Sequence, residues 1–512
     1  MRRVALSSPA LWFWGAALLA LAVVALVALR SPTLAVGLTA GLGLLVIVSM
    51  MLGNRGGSLA LMSLFLLVCL DLPGDWALRY RVAIGGGGIF ISDVLIGLLI
   101  AGAVVAVLAA PKVRLTRSPV TLPLLLFTLW MAVTAVIGLA HGNDLKYVLA
   151  DVRALGYYMV FFWVIVFVRT RRDVMVLLKV LGACLAAGFV IGAVGYAQGQ
   201  GTATAFVEAG VSRFPAPADF FLASTMLLAT WAVVWPQAKR RPWVLWLLLG
   251  LSLLGLTLSL VRGDWVASVV GMLYLFLIMR PRKRVRLVTG IAVVGGLLVI
   301  GTATVNVAVL QSVVLRTMAI TNFQDKNVQY RLIENSAVAR QIAAHPVEGN
   351  GLGTGYVFDF SRYGVAPFVK YFIHNSYLWF LQRMGIVGLG LFVWFICAFL
   401  FRRHGVREGD VEQDPWLGGV VIASRVMVVA LLVASITSPQ FNTKENVAAI
   451  ALIIGLADVS VRLLSKRADK QTVGVSGSSA VVSVSGKTGA AHGFDSPVPP
   501  ATIAEGCGDG LD

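Results

Sequence analysis

Apolar residues run in long blocks along most of this chain, separated by short polar and basic segments. A helix needs about 20 apolar residues to cross the roughly 30 Å hydrocarbon layer of a bilayer, so each block predicts a membrane-spanning helix. Windows of that kind fall at 10–29, 33–52, 58–71, 90–110, 119–140, 155–168, 173–197, 219–235, 243–261, 265–279, 287–309, 375–401, 416–437 and 445–463. The count is about fourteen spans. The blocks at 58–71 and 155–168 are short enough to be tilted or partly interfacial. Between the eleventh and twelfth blocks the pattern changes, and residues 311–374 are compatible with water. There Val328, Leu332, Ile333, Val338 and Ile342 recur near the helical period, with Arg331, Glu334 and Asn335 on the other side. Pro346 ends that pattern, because the residue before a proline is pushed out of the helical region. The glycine-rich run from Gly349 to Gly355 follows, a backbone free to take positive φ and to approach a ligand or another chain closely.

The fold class that follows is an all-α polytopic membrane protein with one long exoplasmic loop. Its expected divisions are membrane helices over 1–310, a loop of short helices and glycines over 311–374, membrane helices over 375–465, and a cytoplasmic tail over 466–512. From about Lys470 the tail turns rich in Ser, Gly, Val and Pro, a composition that predicts disorder.

Composition agrees with the pattern: 58% of residues are hydrophobic, 13% are charged, and the mean hydropathy is +0.86. A formal charge of +18 could suggest a nucleic-acid partner. The lysines and arginines sit instead in short clusters between apolar blocks, which excludes that reading. With the N-terminus inside, alternate loops carry the basic clusters, including Lys112, Arg114 and Arg117, then Arg169, Arg171 and Arg172, then Lys239, Arg240 and Arg241, then Arg280 through Arg286. Both termini are therefore expected to be cytoplasmic and the 311–374 loop exoplasmic. The first block follows Arg2-Arg3 and is longer than a signal-peptide core, so it reads as an uncleaved first span. No cytoplasmic segment is large enough to enclose a nucleotide. Cys69, Cys184, Cys397 and Cys507 have no metal-binding or disulfide spacing, and Asp71 and Asp75, which could hold a divalent cation but form no tight acidic pair, read as turn residues. No metal and no cofactor are expected.

Candidate chemistry gathers at the predicted exoplasmic ends. Arg262 closes the ninth block and Gly263 follows it at once, so a guanidinium sits in a tight hairpin against the local charge rule. It either reaches headgroup phosphates or pairs with Asp264, or it clamps an anionic ligand through paired hydrogen bonds. Arg213, in a proline-punctuated loop, has a surface reading and the same sharper one. His374 stands at the start of the twelfth block beside Asn375 and Tyr377, where it is either a structural hydrogen-bonder or a general base. Arg331 can pair with Glu334 one turn on. Arg383 and Arg425 fall within spans and should face protein or water. The Gly351–Gly355 segment follows no strand and lacks the Lys-Ser/Thr ending of a phosphate loop.

Taken in order, Arg262-Gly263, Arg331, His345-Pro346-Val347-Glu348-Gly349-Asn350-Gly351-Leu352-Gly353, His374-Asn375-Ser376-Tyr377-Leu378 and Met384-Gly385-Ile386-Val387-Gly388 resemble the motifs of the O-antigen ligase and polymerase family of bacterial membrane glycosyltransferases. Val261 stands where that family commonly has serine, and Glu348 where it has an apolar residue. The resemblance covers about residues 255 to 395. It implies a GT-C-like architecture in the bacterial plasma membrane and transfer of a sugar chain from a polyprenyl-diphosphate-linked donor. The acceptor would be a lipid, glycan or protein, and the transfer would use neither a metal nor a nucleotide. By position it makes Arg213 and Arg262 the diphosphate-binding arginines, with Arg331 beside them, and His374 the base, with Asn375 and Tyr377 in support. The rival class is a flippase or exporter of lipid-linked oligosaccharide, which also suits about fourteen spans.

Overall fold

The structure, a computed structural model, describes residues 55–69, 81–84, 87–109, 118–199, 214, 218–234, 242–305, 307–318, 322, 324–361, 364–402 and 414–481. The first two predicted spans, Asp71, Asp75, Arg213 and Cys507 lie outside these residues. The chain divides into two compact units, Met1–Leu464 and Ser465–Asp512.

In the first unit the described helices are α1 (Arg55–Cys69), α2 (Ile91–Ala109), α3 (Thr121–Ala140), α4 (Leu145–Gly156), α5 (Val160–Phe167), α6 (Arg171–Ala197), α7 (Ala218–Val234), α8 (Pro242–Leu258), α9 (Arg262–Ile278), α10 (Pro281–Val305), α11 (Val307–Met318), α12 (Lys326–Ile342), α13 (Ser376–Leu400) and α14 (Pro415–Ala434). A last helix, α15 (Lys444–Val481), carries the chain out of the first unit. It runs on as helix past Lys470, where composition predicted disorder. The apolar segment upstream supplies the costly nucleus, and each further residue then adds a hydrogen bond at little extra cost.

Among the described residues six helical runs are long and apolar enough to cross a membrane, and Ser92–Val104, Asp219–Val234 and Trp243–Leu258 are shorter apolar helices. The molecule is thus a mostly helical, multi-pass membrane protein. The short block predicted at 155–168 is the end of a longer run, Leu145–Phe167. Its first half escaped the hydropathy pattern because it carries Lys146, Asp151 and Arg153. Two of these are consumed in ion pairs, Asp151 with Arg383 at 2.7 Å and Arg153 with Asp93 at 3.0 Å.

Two antiparallel hairpins add to the expected all-helical plan. Strand β1 (Arg81–Ile84) pairs with β2 (Gly87–Phe90), placing Arg81 opposite Phe90 and Ile84 opposite Gly87. Strand β3 (Tyr356–Phe360) pairs with β4 (Val365–Lys370), with Tyr356 opposite Lys370 and a register shift between Phe358 and Phe360. The aromatic and β-branched residues of this second pair suit a pleated, half-buried surface, and Phe358 is fully buried.

The core that supports the site is aromatic. Phe127 of α3 meets the rings of Tyr158, Phe380 and Phe392, and the last two stack at 4.6 Å. Rings at these separations add about 0.5–1.5 kcal/mol per pair beyond the area they bury. They hold α13 rigidly against α3.

Candidate functional site

The glycine-rich run closes on the protein itself. At Gly385 the backbone of α13 takes φ 63° and ψ −169°, which breaks the helix. Around the break, two N–H groups and three carbonyls of the helix bond to groups outside it. Ile386 N–H donates to Pro346 O (2.9 Å) and Val387 N–H to Val347 O (3.4 Å). In return Asn350 N–H donates to Gln382 O (2.8 Å) and Gly351 N–H to Arg383 O (3.1 Å). The third carbonyl, of Met384, accepts from Trp130 Nε1 (2.9 Å). Leaving such groups buried and unpaired would cost about 1–3 kcal/mol each, so the loop and the kink stabilise each other.

The close approach requires glycine. A Cβ on Gly351 would lie 2.2 Å from the Gly138 nitrogen, and one on Gly385 would lie 2.0 Å from the Val347 carbonyl oxygen. Arg383, almost fully buried, pins the assembly through Asp151 (2.7 Å) and Tyr371 O (2.6 Å). Asp151 also accepts from Gly353 N–H at 2.7 Å. The expected close approach therefore occurs, with another part of this chain.

What this lock positions is the chain that leaves the loop through β3 and β4 and enters α13 at His374. Helix α12 forms as its spacing predicts, begun by Asp325, whose side chain caps it by accepting from Asn327 N–H at 2.8 Å. It presents Glu334, fully buried, to four partners. Tyr356 donates its hydroxyl at 2.7 Å, Lys370 Nζ lies at 2.6 Å, His374 Nδ1 lies 2.8 Å from Oε2, and Arg331 lies at 3.6 Å. The His374 backbone N–H also donates to Glu334, at 3.3 Å. A carboxylate removed from water in this way would be strongly destabilising without cations and donors around it. Burial, then the neighbouring Glu334 carboxylate, push the Tyr356 phenol well above its ordinary range, so it stays a donor.

Rings fix the imidazole on two further sides. Phe372 meets His374 edge-on at 4.7 Å and Tyr330 at 6.2 Å. Lys370 also contacts the Tyr330 hydroxyl at 2.9 Å and lies over that ring at 4.7 Å. With Nδ1 directed at a carboxylate, the lone pair belongs on Nε2, the nitrogen available to take a proton. Counting Arg331 and Lys370 against Glu334, the side chains around the imidazole carry one positive charge in excess.

Arg262 opens α9 and pairs with Asp325 at 2.9 Å, so the partner weighed from sequence, Asp264, is replaced by the cap of α12. Burial pushes the Asp325 carboxyl up, but hydrogen bonds from Arg262 and Asn327 outweigh it and hold the group below the usual carboxylate range. Helix α12 thereby links two predicted residues: its first turn meets Arg262, and its third carries the partner of His374. Asn375 caps α13 by accepting from Tyr377 N–H (3.0 Å) and Leu378 N–H (3.1 Å). The Tyr377 hydroxyl donates to Leu432 O of α14 at 2.6 Å. Both residues fix the start of the helix next to His374.

Sequence reasoning missed Lys370, Tyr356 and Asp325, and it treated Glu334 only as a partner for Arg331. Asp325 was findable as an acidic cap directly before a helical pattern. Lys370 and Tyr356 were not, because only the hairpin register brings them to Glu334. The His345 motif is tied locally, with Nδ1 2.9 Å from Glu348 Oε1. That contact holds the exposed Glu348 carboxyl below its ordinary range. The described residues contain no group of three or more His, Cys, Asp or Glu able to hold a metal ion.

Residues 247–393 match the family model described as O-Antigen ligase, a segment that runs from α8 through the lock and His374 into α13. No curated protein matches the chain.

Proposed function

We propose that this chain, whose residues 247–393 match the family model described as O-Antigen ligase, is a membrane glycosyltransferase acting on a polyprenyl-diphosphate-linked glycan at the exoplasmic face of the plasma membrane. The observation that carries this reading is the His374–Glu334 pair, in which a buried carboxylate orients an imidazole among cations.

His374 Nε2 takes the proton of the acceptor hydroxyl as that oxygen attacks the anomeric carbon. The bond from that carbon to the phosphate oxygen breaks on the opposite face, the carrier diphosphate leaves with the electron pair, and the sugar is inverted. Negative charge grows on the departing oxygen. Fixed cations aimed at such charge in a water-poor site stabilise the transition state without reorganising. Arg262, Arg331 and Arg213 fill that role in this reading, with Lys370 adding to the field. Their guanidinium forks match phosphate oxygens in pairs, and no step requires a metal ion.

The test is transfer in membrane vesicles supplied with a lipid-linked glycan and an acceptor. His374→Ala and Arg262→Ala should insert and fold yet lose transfer, with donor accumulating on its carrier. Full activity in both variants would remove the assignment. Glycan crossing the membrane without forming any glycosidic bond would favour a transporter instead.

A further inference from the structure

Away from this site, α8 and α10 enclose an open groove of about 940 Å³ between them. Its walls are apolar: Leu247, Val285, Val293 and Leu297 line it and are each more than half exposed. Trp246 lies against Gly290 at its floor, where a Cβ would sit 2.1 Å from the indole. Only one end is charged, where Arg282 and Arg286 line the groove. Arg286 is braced by donating to Val233 O at 3.2 Å. Arg282 is exposed and makes no ion pair among the described residues.

From Arg282 to Leu297 the groove follows α10 for roughly 22 Å at 1.5 Å per residue, longer than the roughly 15 Å depth of one leaflet's hydrocarbon. A cationic mouth over an apolar floor of that length has the polarity of a phospholipid with an anionic headgroup. Helix α9, 17 residues long, separates this mouth from Arg262 by roughly 25 Å. A diphosphate held at Arg262 cannot also reach Arg282, so the two arginines at the mouth call for a phosphate other than the donor's. We propose that the α8–α10 groove is a binding site for an anionic phospholipid of the leaflet opposite His374, its phosphate held by Arg282 and Arg286 and an acyl chain lying between Leu247 and Val293.

Native mass spectrometry of the full chain, released from nanodiscs of equal phosphatidylglycerol and phosphatidylcholine with matched acyl chains, tests this. Each arginine near a lipid phosphate contributes about fivefold in affinity. The protein should therefore retain phosphatidylglycerol over phosphatidylcholine by roughly 25-fold. Arg282→Gln with Arg286→Gln should abolish the preference, and Arg282→Gln alone, at an exposed position, should lower it about fivefold. Thr289→Trp, which fills the groove and leaves both charges, should reduce retained phosphatidylglycerol. Equal retention of the two lipids by the unaltered chain would overturn the proposal. So would a preference surviving in both arginine variants, or displacement of phosphatidylglycerol from the groove by a polyprenyl phosphate.

Discussion

His374 Nδ1 lies 2.8 Å from Glu334 Oε2, and the carboxylate it meets is fully buried on a different element, 40 residues earlier in the chain. The pairing selects one imidazole tautomer and one ring orientation. Glu334→Gln keeps the shape of the site but presents an amide whose own N–H can face the imidazole, favouring the wrong tautomer. A general base contributes about 10²–10⁴-fold to a rate. Glu334→Gln should forfeit at least about tenfold of that, with donor affinity less affected than turnover. Vesicle transfer rates across a pH series measure the split. An unaltered pH–rate profile in the variant would reduce Glu334 to a packing role.

Gly385 should be irreplaceable for a backbone reason. Alanine there meets both a forbidden conformation and the Val347 carbonyl oxygen 2.0 Å from its Cβ. Backbone strain alone is worth about 1–3 kcal/mol, and undocking the loop would expose further orphaned groups at the break. Gly385→Ala should lower the melting temperature in detergent and open the 345–355 segment to limited proteolysis. Gly390→Ala, on the same helix with no atom near its Cβ, is the control and should behave as the unaltered chain.

Periodicity revealed α12 and the apolar helices because each of those signals is local. Hydropathy missed the start of the Leu145–Phe167 run, since Asp151 and Arg153 are neutralised by Arg383 and Asp93, both distant in sequence. It also missed the β3–β4 hairpin, which is short and leans on α12 for its stability. His374 and Arg262 stood out as charged or titratable residues at the ends of apolar blocks, and Arg331 as a basic residue on the polar side of the helical pattern between them. Their partners Glu334, Lys370 and Asp325 looked like ordinary solvated residues. Only tertiary contact distinguishes a buried carboxylate from an exposed one with the same neighbours in sequence.

The Arg262–Asp325 contact should make part of the stability dependent on acid. The Asp325 carboxyl is held below its ordinary value of 3.8 in the folded protein. The unfolded chain therefore binds the proton more readily. The contact stabilises fully above that ordinary value, and its contribution is lost as pH falls through the lower, folded one. Melting temperatures of the unaltered chain and of Asp325→Asn should differ at pH 7, begin to approach each other only below 3.8, and converge once the pH has fallen past the lower, folded value. A difference that stays constant through that range would show that the side chain acts only as a helix cap.

Arg262→Lys separates the ion pair with Asp325 from the phosphate contacts proposed for this residue. A lysine retains a positive charge that can face Asp325, so the tie between α9 and α12 should largely persist and the melting temperature should change little. It cannot reproduce the planar fork that binds two phosphate oxygens at once. Transfer should fall at least about tenfold, the equivalent of one lost charge-assisted hydrogen bond, with the loss seen mainly in turnover. Arg262→Ala should still insert and fold, but lose transfer together with the part of the stability that the Asp325 pair contributes. If lysine supports transfer at the original rate, the guanidinium serves only the ion pair, and the phosphate contacts must come from Arg331, Lys370 or Arg213.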